Sequence, residues 1–112
     1  MEHTMSRHPC PYLKGEVELT DEREHHIAER HPDLLPEHRD RIADTLAEPD
    51  QVRSSARFGS AKLFSRWYYD VRRGKHVVVV VVSEPDPGER RWIITAYMAR
   101  KLSEGEVEWP RD

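Results

Sequence analysis

Six consecutive valines, residues 77–82, constrain this chain more than any other feature. Branching at Cβ makes the run a poor helix and a good strand. Successive side chains of a strand point to opposite faces, so an unbroken valine run has no polar face to give to water. Such a strand belongs at the centre of a sheet that is covered on both sides. Helices can supply one cover. The other must come from loops, a partner chain or a ligand.

The flanking sequence supplies the helices and the neighbouring strands. Thr20 precedes "DEREHHIAERH", whose Asp21 and Glu22 suit the positive end of a helix, and Pro32 stops it. A second helix is expected over residues 36–48, with proline in its first turn and a core stripe of Leu35, Ile42, Ala43 and Leu46. After Pro49 the pattern becomes extended. "QVRSSARF", "KLFSRWYYDV", "HVVVVVVSE" and "RWIITAYMARK" read as four strands, joined by "RRGK" as a turn and "PDPGER" as a loop. Connections this short make an antiparallel meander. The expected fold is therefore α+β, two N-terminal helices followed by a four-stranded antiparallel sheet. Residues 1–14, with Pro9 and Pro11 and no periodicity, read as a flexible segment, and residues 15–112 as one domain. Within that domain "EVELT" has the residues of a short edge strand.

Charge is unevenly spread. Residues 1–50 hold six basic against thirteen acidic side chains, a net −7, whereas residues 51–101 hold eleven against four, a net +7. Such asymmetry points to a surface for polyanions. Cys10 is alone, so no internal disulfide framework exists, and a reducing compartment is the default. The first residues have no apolar signal core, and the valine run is too short to span a bilayer. A cytoplasmic protein without membrane contact is expected.

Four of seven histidines lie between residues 25 and 38. His25, His26 and His31 are spaced wrongly for ligands on one helix face, so no metal site is expected. His26 and Arg30 do share a face, and His31 closes the helix. On the last strand, strict alternation puts Trp92, Ile94, Ala96 and Met98 on one side and Ile93, Thr95, Tyr97 and Ala99 on the other. If the helices pack on the first set, Thr95 and Tyr97 face away from them, beside Arg66 of a neighbouring strand. Histidine moves protons near neutrality, arginine or lysine holds a phosphate oxygen, and tyrosine donates a proton or stacks. That set needs no metal to cleave RNA, because the substrate's own 2′-hydroxyl can attack the adjacent phosphorus.

The segments "ELTDEREHHIAERHP", "TLAEPDQV", "LFSRWYYD", "HVVVVVV" and "WIITAYMARKLSEGEVEW" resemble, in this order, the phage-type nucleases of the barnase-EndoU-colicin-RelE fold group. The resemblance covers about residues 16–109 and implies two helices ahead of a four-stranded sheet. It implies a metal-independent endoribonuclease that needs no cofactor, acting on RNA or ribosome-bound RNA. Carried over by position, it makes His26 or His31 the general acid or base. Arg66, Thr95 and Tyr97 complete the catalytic set, and Arg30, Lys101 and Tyr68 contact substrate. Toxin-antitoxin or phage context follows from the same resemblance, with an antitoxin or a second copy as protein partner. The alternative is a noncatalytic module that binds nucleic acid or protein through the same scaffold.

Overall fold

A computed structural model describes residues 5–55, 60–84, 90–102 and 105–110. In chain order these form β1 (Met5–Cys10), a single 3-10 turn (Pro11–Leu13), β2 (Gly15–Thr20), α1 (Asp21–Arg30) and α2 (Arg39–Ala47). Five strands follow: β3 (Gln51–Ser54), β4 (Ala61–Tyr68), β5 (Lys75–Glu84), β6 (Arg90–Ala99) and β7 (Glu106–Trp109). All seven strands join one sheet in the order β1-β2-β6-β5-β4-β3-β7. Every pairing is antiparallel except β2 with β6, which is parallel and joins Glu18 to Trp92.

The expected α+β fold, two N-terminal helices ahead of a four-stranded antiparallel sheet, is overturned. The protein is mostly sheet, mixed in direction, and two strands precede the helices. Residues 5–10, read from sequence as part of a flexible segment, form β1 and pair with β2 along their whole length. Pro9 is tolerated because β1 is an edge strand. "EVELT" is a strand as expected, though an interior one rather than an edge.

Local signals behaved as their chemistry demands. Thr20 Oγ1 accepts the Arg23 N–H at 3.1 Å and caps α1, which ends before Pro32. The second helix starts three residues later than expected, because residues 32–38 turn and drive Leu34 and Leu35 into the core. The last part of "QVRSSARF", residues 56–58, lies outside the described residues, as does the "PDPGER" loop apart from Arg90. So do the first four residues of the N-terminal segment.

β5 is central, paired to β4 and β6, and Val77 to Val81 are all buried. On one side Val77, Val79 and Val81 join Ile27, Leu34, Leu35, Ile42, Leu46, Phe64, Ile93 and Ala96 beneath the helices. On the other side Val78 and Val80 pack with Ala61 and Leu63, joined by Val82, Ile94, Tyr97 and Leu102. Leu102 is packed against this second side from beyond the end of β6. The chain leaves β6, third in the sheet, and returns as β7 outside β3 at the far edge, and Leu102 lies on that path.

The strict alternation expected in β6 fails at one point. Register shifts between Val80, opposite Thr95, and Val81, opposite Ile93, so Ile94 is an extra residue in the strand. Ala96 and Met98 face the helices and Thr95 and Tyr97 face away, as read from sequence, but the bulge moves Ile93 to the helix side and Trp92 and Ile94 to the other.

Two contacts pin β7. Gly105 turns with φ +88°, and a Cβ there would lie 2.2 Å from the Ser54 carbonyl oxygen, so the return onto β3 admits only glycine. The Glu108 carboxylate then accepts hydrogen bonds from Tyr12 Oη at 3.0 Å, from Lys62 Nζ at 2.8 Å and from Ser54 Oγ. Burial would raise the Glu108 pKa, but the bonds from Lys62, Ser54 and Tyr12 and the Lys62 charge outweigh it and hold the carboxyl below its ordinary range.

Gly105→Ala should lower stability by about 1–3 kcal/mol in urea unfolding, from backbone strain and the clash together. Glu108→Gln should cost about 1–2 kcal/mol at neutral pH, the usual worth of charge-assisted hydrogen bonds. A depressed carboxyl stabilises the fold above its unfolded pKa of about 4.3 and ceases to do so as pH falls through the folded value. The parent and Glu108→Gln should therefore converge in stability under acid, and a gap that stays constant down to pH ~3 would contradict this account.

Candidate functional site

The described residues place a concentration of cationic and aromatic side chains at the end of the sheet where β4 turns into β5 and β6 finishes. Register assembles it: Tyr68 pairs with Lys75, and His76 lies between Trp67 and Ala99, so Arg100 and Lys101 emerge beside the start of β5. Arg72, Arg73, Arg100 and Lys101 are exposed, and Lys75 is half-buried.

The β4–β5 turn is unusual. Arg72, Arg73 and Gly74 take positive φ in succession, at 44°, 66° and 102°. The left-handed region disfavours side chains other than glycine, so the two arginines sit in a strained turn. Val71, 1% exposed, anchors that turn in the core, and Lys75 Nζ donates to the Arg72 and Gly74 carbonyls at 3.1 and 3.4 Å. The arginine side chains are thereby held out from the sheet on a fixed backbone.

Trp67 and Tyr69 stand at the same end, 43% and 83% exposed. Trp67 meets His76 edge-on, with ring centroids 4.8 Å apart, and its backbone N–H donates to Asp50 Oδ2 at 2.7 Å. Burial lowers the His76 pKa; the charge of Asp50 opposes that shift and the charge of Arg53 adds to it. His76 is therefore mainly neutral at pH 7.

Sequence reasoning placed the site elsewhere in part. His31 and Tyr97 do meet, with ring centroids 6.0 Å apart. α1 lies along the second half of β6, since Arg23 Nη1 donates to the Ile94 carbonyl at 3.4 Å near its start and His31 reaches Tyr97 at its end. His26 and Arg30 follow Arg23 at three and seven positions, on the same side of the helix. Of these residues the structure brings His31 to Tyr97; His26 and Arg30 lie on the same side of α1 as Arg23, Thr95 lies opposite Val80 on the face turned away from the helices, and Lys101 follows the end of β6.

Arg66 does not join them. It sits opposite Val77 on the helix side, whereas Thr95 and Tyr97 lie across from Val80 and Val78 on the other. Its guanidinium lies 5.4 Å from the Tyr68 ring centroid and 3.5 Å from the Glu48 carboxylate. Tyr68 cannot meet a substrate either. It is 7% exposed, and its hydroxyl pairs with Thr45 Oγ1 at 3.1 Å and donates to the Arg41 carbonyl at 3.2 Å. Parity explains both placements, because Arg66 and Tyr68 share the phase of Phe64, which faces the helices.

Trp67, Tyr69, Arg72, Arg73, Lys75 and His76 were missed as site residues. Their signal lay in "RWYYDVRRGKH", where aromatic and basic residues interleave around a turn. No protein-family model, curated protein or solved structure matches this chain.

His76 should titrate below the ordinary value of about 6.5 in NMR of its imidazole resonances. A midpoint at or above that value would show that burial does not govern it.

Proposed function

We propose that the protein is a nucleic-acid-binding domain whose contact surface is the basic end of the sheet. The observation that carries this reading is the convergence of Arg72, Arg73, Lys75, Arg100 and Lys101 at one end, with Arg30 and His31 arriving from α1. Cations clustered this way displace condensed counterions from a phosphate backbone, and that release drives binding. Among the described residues, two carboxylates near that end are engaged: Asp70 accepts from Arg41 Nη2 at 2.9 Å, and Asp50 from the Trp67 N–H. Elsewhere the helix layer is acidic, with Asp21, Glu22, Glu29, Asp40 and Asp44 exposed. Repulsion from that layer confines a polyanion to the basic end, so a net charge of −3 is compatible with the function.

Ribonuclease chemistry is a second reading, supported by the His31–Tyr97 contact. It keeps His26, Arg30, His31, Thr95, Tyr97 and Lys101 and gives up Arg66. One histidine would deprotonate the 2′-hydroxyl as it attacks phosphorus, the other would protonate the 5′-oxygen as the P–O5′ bond breaks, and Arg30 or Lys101 would stabilise the charged phosphorane.

Fluorescence anisotropy with a labelled oligoribonucleotide tests the binding. Affinity should fall steeply with salt, with a log–log slope of about −0.7 for each phosphate neutralised on a single strand. Arg72→Glu with Arg73→Glu should weaken binding at least tenfold and flatten that slope, by roughly one phosphate per charge removed. Unchanged affinity in this double variant would rule the basic end out. Incubating the same RNA with EDTA and reading the ends for 2′,3′-cyclic phosphate separates the two readings, since cleavage lost in His31→Ala would establish the nuclease.

A further inference from the structure

Resting on the nucleic-acid reading, we infer that the ligand of the basic end is a single strand whose unpaired bases stack on Trp67 and Tyr69. Four large apolar side chains are exposed among the described residues, and two of them, Trp67 and Tyr69, fall among these cations. A duplex offers its phosphates to a basic surface but keeps its base faces stacked on one another. Only an unpaired base presents a π-face to a protein ring. Exposed rings beside cations therefore fit a single strand and add nothing toward a duplex.

The indole is held ready for this. A Cβ on Gly74 would lie 2.4 Å from Trp67 Cζ2 and 2.9 Å from Cη2, so the ring rests against a backbone that only glycine leaves open. The His76 ring packs across it with centroids 4.8 Å apart, and the Asp50 contact fixes the Trp67 backbone. A ring immobilised before binding loses little further freedom when a base settles on it. Gly74 thus serves the turn through its φ of +102° and the platform through its missing side chain.

Tyr69 follows Trp67 by two residues, at the first position of the turn beyond β4, and both rings are exposed. Arg72, Arg73 and Lys75 follow on the same turn, where phosphates of a short stretch can reach them.

The test uses the whole protein with four labelled or competing ligands: a 12-nucleotide RNA, the DNA of the same sequence, the corresponding duplex and inorganic polyphosphate. Trp67→Ala and Tyr69→Ala keep every charge, and stacking on each ring contributes about five- to a hundredfold in affinity. Each should lower single-strand affinity by that order and leave polyphosphate binding unchanged, while Trp67→Phe retains part of the affinity. Gly74→Ala, which displaces the indole, should imitate Trp67→Ala, with near-UV circular dichroism and urea unfolding confirming that each variant is folded. Parent protein should also prefer either single strand to the duplex.

If all four ligands bind and the aromatic variants lose nothing, the stacking inference falls and the electrostatic reading stands. If the variants lose duplex and polyphosphate affinity equally, the rings support the turn and do not stack, which also overturns the inference. If no ligand binds folded protein at low salt, the nucleic-acid reading and this inference fail together.

Discussion

The structure depends on keeping both faces of β5 out of water. Five valines of that strand are buried, and each face has a different cover. α1 and α2 cover one side, and the chain segment between β6 and β7 reaches the other through Leu102. At about 25 cal/mol per Å² of apolar surface, leaving either side bare would forfeit several kcal/mol, comparable to the whole stability of a small domain. Much of the remaining architecture follows from that requirement. β7 lies at the far edge, where Gly105 and Glu108 hold it in place.

Covering both faces also determines where function can reside. With the faces of β5 taken up by core, the ends of the sheet and its turns are open to recognition. At one end a strained turn, the start of β5 and the end of β6 bring positive charge and accessible aromatic rings together. The acidic helices lie over a face, the cations at an end. The charge asymmetry along the chain thereby becomes an asymmetry in space, with the cations of residues 72–75 and 100–101 on one rim.

Several elements were legible from short-range chemistry. Thr20 announced the start of α1 because its hydroxyl can satisfy a helix N–H three residues on, and Pro32 announced the end. The valine run announced a central strand. The partition of Ala96 and Met98 from Thr95 and Tyr97 followed from alternation, whereas that of Trp92, Ile93 and Ile94 did not, since one inserted residue reverses parity along the rest of a strand. β1 was illegible because two prolines mimic a disordered lead-in, and β7 because four residues rich in glutamate carry little strand signal. Of the candidate site, His31 with Tyr97 was legible, and the Trp67–Gly74–His76 arrangement was not, because "RRGK" looked like a turn and nothing more.

By itself the sequence determined the two helices and the strands β2 to β6, that β5 needs cover on both sides, and that most of the cations lie in the second half of the chain. Periodicity, capping and composition act over a few residues and are read locally. Only the tertiary structure decided that β2 runs parallel to β6, that β7 closes the far edge, and that Arg66 and Thr95 lie on opposite sides of the sheet. Those outcomes turn on which strands pair and in what register. Pairing is settled by contacts between residues far apart in sequence, and a single bulge or crossing changes it without altering any local preference.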